Sequence, residues 1–417
     1  MRLMHTVEGE PPQSLVNLDV ARRRFGDDAV GRLAHMVQLA DPLADAADAE
    51  LRLHGETARR QLRAGLLHGR QFVGEDLPAV RALLAEAERV PAWVEPRRLE
   101  RGSQAYLAIG NVWITLSLGP GSLTHTYSSP SIARVLVRTG NLIRMARRRI
   151  VETGVWNIVS VLPGGLARGG EGYIQNVQVR LLHARVRAAL WQRGWNAAET
   201  GAPINQLEMA RTWLDFTYVP FHALQTFGIT FTAGELDDLY HFWQYVAHLL
   251  GVHPDLYRDV TNQARAADLL ALISQTEEPA GGDARELTQA MLVAVADLLQ
   301  SSLPTPPPVT LDLVHAVARR LHGDRLADQL GIRKPWVRHA LVPIMLGNRL
   351  RRWRERVQPG ARDRTIDHTI RTFRGQLAGL QGETTYQRSA GPVPEAGLPR
   401  TVEPTPTSSG SAVEATA

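Results

Sequence analysis

The sequence predicts an all-α protein, from two features of its composition and one of its pattern. Apolar residues make up 44% of the 417 residues, whereas aromatic residues make up only 6%. The apolar residues are mostly Leu, Ala and Val, which together with abundant Arg and Glu favour helix over strand. Amphipathic segments separated by Gly and Pro follow one another along the chain. A chain of this length buries enough apolar surface to fold as one large helical domain.

The N-terminal and central segments differ in how apolar they are. Residues 1–90 predict a layer of amphipathic helices, the last of which, LPAVRALLAEAERV, ends before a proline. Residues 91–302 are more apolar and are expected to form the core that carries the chemistry. Breaks between helices are predicted at Gly26, Pro42, Gly55 and Pro78, and glycine-rich joints at 118–122, 138–141 and 163–172.

The C-terminal part is predicted to be helical and then disordered. PTPPP at 304–308 is a stiff connector, and helices are expected over 303–381. Within them, RHALVPIMLGNRLRRWRER predicts an amphipathic helix with a solvated arginine face. The Pro, Ser, Thr and Gly content of 382–417 predicts a disordered tail.

The segment FTAGELDDLYHFWQYVAHLLG has clear helix boundaries. Thr232 and Glu235 have the spacing of a capping box, and Gly251 stands where a helix end favours a left-handed residue. Asp238 and His241 also have a ligand spacing found in carboxylate-bridged di-iron bundles. No second helix of that kind is apparent, so we prefer to interpret the aromatic and histidine side chains here as packing or hydrogen-bonding groups.

Charge and cysteine content exclude several classes of function. The formal net charge is only +5, the basic residues are dispersed, and all but Lys334 are arginine, so we expect no nucleic-acid partner. The absence of cysteine excludes thiolate metal sites and a thiolate-ligated haem. The N-terminus lacks an apolar signal region, and no apolar segment is long enough to span a bilayer. We therefore expect a cytoplasmic protein.

A helix predicted over 173–192 has an asymmetric face around His183. At about 100° per residue, Arg180 and Arg187 lie on one edge of His183, and Val179 and Val186 lie on the other. Such a face offers an imidazole for a haem iron, apolar walls for the macrocycle and cations for its propionates. A core histidine beside arginines that pair with carboxylates fits the same spacing, and periodicity does not decide between them.

The sequence around this helix resembles the latex clearing protein (rubber oxygenase) family. VRLLHARVR, after GGLARGGEG, is similar to the proximal-histidine helix of that family. Further similar segments within about residues 100–260 are GSLTHTYSSPSIARVLVRTGNL, RRRIVETG and FGITFTAGELDDLYHFWQYVAHLLGV. The resemblance implies a globin-like core that binds haem b, with His183 as the iron ligand.

The resemblance also implies a distal constellation, which this chain has in altered form. The family places an arginine, a lysine and a threonine on one helix, and the matching residues here are Arg149, Glu152 and Thr153. The missing lysine puts in doubt the gating of oxygen by a distal ligand. Glu152 is instead a candidate base for an allylic proton. An ordinary surface ion pair with a neighbouring arginine is the alternative.

The resemblance implies a haem-dependent oxygenase. The expected reaction is oxidative cleavage by O2 of a carbon–carbon double bond in an isoprenoid or other unsaturated hydrophobic substrate. The lack of a secretion signal and of the distal lysine favours a small intracellular substrate over rubber. A haem-dependent hydroxylase or peroxygenase, and a non-catalytic helical binding or regulatory protein, are the alternatives.

Overall fold

The described part of the protein is helical throughout. The structure, a computed structural model, describes residues 10–138, 142–300 and 302–380, with the backbone alone for 142–147. These residues contain no β-strand, which confirms the all-α prediction. The α-helices are α1 Leu18–Phe25, α2 Asp27–Met36, α3 Pro42–His68, α4 Pro78–Glu88, α5 Pro96–Leu107, α6 Asn111–Leu116, α7 Thr124–Tyr127, α8 Pro130–Arg138, α9 Leu142–Val161, α10 Glu171–Gln192, α11 Ala197–Thr200, α12 Gln206–Asp215, α13 Tyr218–Thr226, α14 Ala233–Leu249, α15 Pro254–Tyr257, α16 Gln263–Thr276, α17 Gly282–Leu299, α18 Pro307–Gln329, α19 Leu341–Val357 and α20 Ala361–Gly379.

The predicted breaks in the N-terminal layer fall into two kinds. Pro42 and Pro78 stand in the first turns of α3 and α4, where a missing N–H costs no intrahelical hydrogen bond. Asp41 caps α3, since its Oδ1 accepts a hydrogen bond from the Ala44 backbone N–H at 3.2 Å. Gly55 was expected to end a helix but instead kinks α3, with φ of 62°. Glycine at this position allows the turn without interrupting the helix on either side.

The glycine-rich joint at 118–122 is a wide helical turn rather than a loop. Ser117–Leu123 forms a π-helical segment that joins α6 to α7 and is buried throughout. Pro120 lies inside it. Because proline cannot donate to the carbonyl one turn earlier, a local widening of the helix accommodates it. The joint at 163–172 is a loop as far as α10, and the one at 138–141 lies almost wholly outside the described residues.

The capping prediction for α14 is confirmed. The Thr232 hydroxyl accepts from the Glu235 backbone N–H at 3.1 Å, and the Glu235 carboxylate accepts from the Thr232 N–H at 2.9 Å. Gly251, just beyond the helix, has φ of 75°, which is the left-handed conformation that the sequence predicted.

One hydrophobic core runs through the described residues. Its buried side chains extend from Ala21 in α1 to Phe373 in α20. The predicted boundaries at 90 and 302 fall between helices, yet the side chains on both sides of each boundary join this core. The division into three helical parts therefore stays a prediction, and the predicted tail at 382–417 lies outside the described residues. Of the helices described, none combines the length and the apolar character that crossing a bilayer requires.

Candidate functional site

Helices α9 and α10 form an antiparallel hairpin whose register is set by a buried polar cluster. Trp156 Nε1 donates to Asn176 Oδ1 at 3.0 Å, and Asn176 Nδ2 donates to Ser160 Oγ at 3.1 Å. At Gly172, an added Cβ would lie 2.7 Å from Ser160 Cα, so the two backbones touch where the hairpin begins. Glycine is required there because any side chain would force the helices apart.

This register places two of the predicted site residues at the same level. Arg149 precedes Trp156 by seven residues, and His183 follows Asn176 by seven residues. Seven residues are about two helical turns, so each residue lies on the stripe that faces the other helix. Glu152 and Thr153 lie one turn from Trp156 and share the α10-facing side of α9. The hairpin register thus aligns the predicted proximal and distal residues along the two helices, while the charges that act on His183 are those of Arg187 and Asp41.

The His183 side chain has the properties of a free imidazole ligand. Its Nδ1 is buried and has no hydrogen-bond partner among the described residues. Burial, reinforced by the Arg187 charge, lowers the pKa of His183 to about 4. The ring is therefore neutral near pH 7, and a neutral imidazole nitrogen is what a haem iron or another transition metal coordinates. On this observation, His183 fits the role of haem ligand.

The two arginines beside His183 are bound to carboxylates of the N-terminal layer. Arg180 Nε and Nη2 donate to the two oxygens of Asp41 at 2.6 and 3.0 Å, and its Nη1 donates to Glu86 at 2.6 Å. Arg187 Nε donates to Asp45 at 2.8 Å. This is the pairing that the spacing of the sequence left open. The role of these arginines as haem propionate partners stays a prediction, and their ion pairs satisfy both charges without it.

The distal residues lie in a partly buried, charged environment. Burial lowers the pKa of the Arg149 guanidinium, and the charges of Tyr127 and Glu152 oppose that shift. Arg148 Nε donates to Glu152 Oε1 at 2.9 Å, with the Glu152 side chain only 15% exposed. The pair is therefore the one that the surface alternative predicted, with Arg148 exposed and Glu152 mostly covered. Thr153 is half-buried on the same side.

Tyr127 is a candidate residue that the sequence analysis did not single out. It is buried at the end of α7, and burial raises the pKa of its hydroxyl while the nearby Arg149 charge opposes the rise. A neutral phenol beside an arginine can donate a hydrogen bond to an oxygen of a substrate or intermediate. Its segment, GSLTHTYSSPSIARV, already resembled the family, but no spacing rule pointed to this side chain.

A second polar cluster surrounds α12 and was also missed. Arg211 Nη1 donates to Asp215 at 2.6 Å, and His125 Nδ1 lies 2.7 Å from the same carboxylate oxygen. Near it, burial raises the pKa of Glu208 to about 7. Glu208 and Arg211 line a cavity of about 30 Å³, which holds a water molecule or two but no organic cofactor. Nothing in the sequence pattern brings α7 and α12 together.

The Asp238–His241 pair of α14 does not form a metal site in the structure. Asp238 accepts hydrogen bonds from Arg98 at 3.1 Å and from Arg101 at 2.6 Å. His241 Nε2 accepts one from the Glu95 backbone N–H at 3.1 Å. Over the described ranges, no three His, Cys, Asp or Glu side chains are grouped to hold a metal ion. The packing interpretation of this helix accounts for the contacts.

Comparison with known proteins identifies relatives of this architecture. The family described as ER-bound oxygenase mpaB/B'/rubber oxygenase, catalytic domain, matches residues 106–358. A rubber oxygenase from Streptomyces sp. (strain K30) is 26% identical over 274 residues, which are 63% of this chain and 63% of that protein. The structure of latex clearing protein in its closed state superposes with a TM-score of 0.61 at 21% identity, covering 82% of this chain and 90% of that one.

Proposed function

This chain belongs to the ER-bound oxygenase mpaB/B'/rubber oxygenase catalytic-domain family, and from that premise we propose that it is a haem-dependent oxygenase with His183 as the iron ligand. The observation that supports the proposal is the buried Nδ1 of His183, which has no hydrogen-bond partner among the described residues, on a helix that packs in register against the helix of Arg149. The chain spans 63% of the length of the Streptomyces rubber oxygenase, so the activity, the substrate and the cofactor are all part of the proposal.

His183 would hold a haem b through one imidazole nitrogen. Bound haem would supply the binding and reductive activation of O2. The apolar side chains of Val179 and Val186 lie on the edge of the His183 stripe that is free of arginine, where they can contact a flat hydrophobic ring. The ion pairs of Arg180 and Arg187 hold α10 in place on the N-terminal layer, which fixes the direction of the imidazole.

The residues of α9 and α7 would act on the substrate side. Glu152 takes an allylic proton and returns it before the two carbonyl products leave, so no hydrogen is lost, and Arg148 orients its carboxylate. The Arg149 guanidinium and the Tyr127 hydroxyl stabilise negative charge that develops on oxygen, in an environment that burial keeps poor in water. Thr153 adds a hydroxyl that can hold an ordered water or a substrate oxygen.

The proposed substrate is an isoprenoid or another unsaturated, hydrophobic molecule. The name of the Streptomyces relative, rubber oxygenase, supports a substrate class that contains carbon–carbon double bonds. In the proposed reaction one double bond and one O2 give two carbonyl groups, so all atoms of O2 appear in the products. Incubation of a polyisoprene oligomer with ¹⁸O2 and mass spectrometry of the products tests this. Label in only one product, or in a hydroxyl group, would instead indicate monooxygenation.

The haem assignment has a direct spectroscopic test. The purified protein is expected to show a Soret band and to release haem b on extraction, and His183→Ala is expected to abolish or strongly weaken that band. His248→Ala is the matched control, because His248 is a second histidine with a lowered pKa and a buried nitrogen that has no hydrogen-bond partner in the described structure. A band that survives in His183→Ala and disappears in His248→Ala would move the ligand to α14. A protein that takes up no hemin would refute the proposal.

A further inference from the structure

Helix α19 contacts the rest of the protein through polar as well as apolar side chains, since Leu341 is buried and Ile344 and Met345 pack against the core. On its inner side, Asn348 donates to the Phe227 carbonyl at 2.9 Å, and Arg352 donates to the Thr230 carbonyl at 3.1 Å. Arg352 also pairs with Glu355 at 2.7 Å. These three side chains are at most 9% exposed. The inner face therefore combines a buried polar cluster with apolar contacts, and it does not take up all the large apolar side chains of the helix.

The outward face of α19 is apolar. Five large hydrophobic side chains lie within about 80° of one another around the helix axis, roughly opposite the polar inner face. Each is about half exposed or more: Val342 58%, Leu346 59%, Leu350 47%, Trp353 57% and Val357 55%. Trp336, in the 3₁₀ segment just before α19, is 74% exposed. The sequence predicted a solvated arginine face here, and the structure shows that an apolar stripe shares it.

Positive charge borders this stripe on both sides. Arg349 lies along one edge and Arg354 beyond the other, and both are exposed without a carboxylate partner among the described residues. Residues 333–358 contain eight arginine or lysine side chains, of which Arg333, Lys334, Arg351 and Arg352 form ion pairs with carboxylates. The other four have no carboxylate partner among the described residues. An exposed apolar stripe with tryptophan and flanking arginines is the pattern of a helix that lies in the interface of an anionic membrane.

We propose that α19 docks this protein on the surface of a membrane that contains anionic phospholipid. The helix lies parallel to the bilayer plane, its five apolar side chains enter the headgroup and acyl boundary, and Arg349 and Arg354 contact lipid phosphates. This inference does not rest on the proposed oxygenase activity, since it uses only the contacts, exposure and charge of α19.

Charge decides against a second copy as the occupant of the stripe, and composition decides against the chain after residue 380. A symmetric contact between two copies would place Arg349 and Arg354 of each copy near the same arginines of the other, with no acidic group to compensate. The chain after residue 380 has few large apolar side chains, and its proline and glycine content opposes a continuous covering segment. An anionic lipid surface supplies both the apolar contact and the negative charge.

Co-sedimentation of the full-length protein with vesicles tests the proposal. The protein is expected to bind vesicles of phosphatidylcholine with 30% phosphatidylglycerol, and to bind pure phosphatidylcholine vesicles at least ten-fold more weakly. The double variant Leu346→Gln/Leu350→Gln should lose at least ten-fold in affinity for the anionic vesicles. Arg349→Gln/Arg354→Gln should lose about five-fold per arginine, and 0.5 M NaCl should produce a similar loss in the wild type.

The control replaces two exposed leucines elsewhere. Leu53 and Leu67 on α3 are 79% and 51% exposed, so Leu53→Gln/Leu67→Gln removes similar apolar surface and should leave vesicle binding unchanged. Thermal melting of each variant verifies that it folds, which is expected because all substituted side chains point outwards. Reduced haem content in the α19 variants is not expected and would indicate a folding defect.

Three results would overturn the proposal. The first is failure of the wild type to bind anionic vesicles, or equal binding by Leu346→Gln/Leu350→Gln. The second is a wild-type dimer in sedimentation velocity that becomes monomeric in that variant, which would make a second copy the occupant. The third is protection of the chain after residue 380 from protease in the wild type but not in the variant, which would make that segment the occupant.

Discussion

At the scale of single residues, the chemistry depends on how far burial changes the ionisation of a side chain from its state in water. The His183 ring is neutral near pH 7 because burial disfavours the imidazolium and Arg187 adds like charge. The arginines one turn away on either side are buried, and each forms an ion pair with a carboxylate of α3. A neutral imidazole and two ion pairs thus lie next to one another on one helix.

Glu152→Gln should separate the two functions considered for this carboxylate. If it takes a proton, the amide cannot replace it, and we expect retained haem with turnover reduced by at least ten-fold, as is usual for loss of a general base. The measurement is product formation under saturating O2, with the Soret absorbance as the check on haem content.

Arg148→Gln is the matched control for Glu152→Gln. It breaks the same 2.9 Å ion pair and leaves the carboxylate in place. A smaller effect on turnover than in Glu152→Gln is therefore expected. Equal losses of turnover in the two variants would show that Glu152 acts only as an ion-pair partner.

Glu208→Gln should stabilise the protein at high pH but not at low pH. The pKa of Glu208 is raised to about 7 in the folded protein against 4.5 in the unfolded chain. Its contribution to stability is therefore present below pH 4.5 and is lost as the pH rises through 7. Relative to the wild type, the variant should gain about 2 kcal/mol in its free energy of unfolding between pH 5 and pH 8. Urea unfolding of the variant and the wild type at pH 5 and pH 8 measures this gain. A difference between the two proteins that is the same at both pH values would contradict the prediction.

At the scale of elements, the junction of α3 with α10 sets the orientation of the His183 helix. Asp41 caps α3 and at the same time forms a two-pronged ion pair with Arg180 on α10. Burial raises the pKa of Asp41, but the Arg180 charge and hydrogen bonds outweigh it, so that this pKa is lowered. The loop after α14 closes over the pair at Gly251, where an added Cβ would lie 2.2 Å from Arg180 Nε. Three helices therefore meet at one buried ion pair.

Gly251→Ala should destabilise the protein by about 3 kcal/mol. The substitution forces alanine into a left-handed conformation at φ of 75° and drives its methyl group into the Arg180–Asp41 pair. Urea unfolding measures the change. A variant as stable as the wild type would show that the loop moves away at little cost.

Gly234→Ala, at the start of α14, is the control for Gly251→Ala. An added methyl group at Gly234 has no atom within 4 Å, and its backbone is helical. We expect unchanged or slightly increased stability because alanine restricts the unfolded chain more than glycine does. If Gly234→Ala destabilised the protein as much as Gly251→Ala, the loss in Gly251→Ala could not be assigned to the Arg180–Asp41 ion pair.

At the scale of the whole molecule, buried titratable groups with opposite shifts determine how stability depends on pH. Burial lowers the pKa of His183 to about 4 and that of His322 to about 3, against 6.5 in the unfolded chain. Each contributes stability that is complete above pH 6.5 and is lost as the pH falls towards its folded value. The contribution of Glu208 to stability changes in the opposite direction, because it is lost as the pH rises from 4.5 to 7.

The haem-free protein should therefore lose stability between pH 6 and pH 5. Burial lowers the pKa of His315 to about 4 as well, so three histidines oppose one glutamate, which leaves a net loss of about 2 kcal/mol for this one unit of pH. Urea unfolding at pH 5, 5.5 and 6 tests it, and His322→Asn should flatten the dependence. Stability that increases as the pH falls over this range would show that Glu208 dominates.

The sequence by itself determined the helical class, the capped start of α14 and the asymmetric face of α10. These follow from local rules, since periodicity, a capping box and a left-handed glycine act within a few residues. It also set His183, Arg149, Glu152 and Thr153 apart, although only the resemblance to known oxygenases gave them roles.

Only the tertiary structure decided what those side chains contact. The partners of Arg180 on α3 and α4, the neighbour of Arg149 on α7 and the π-helical path through 117–123 all depend on contacts between distant segments. The same holds for α19, whose amphipathic pattern was plain in the sequence. Carbonyl acceptors in the loop after α13, together with the core packing of Leu341, selected its inner side and left the stripe from Val342 to Val357 outward. A pattern identifies two faces of a helix, but the groups packed against it decide which face is buried.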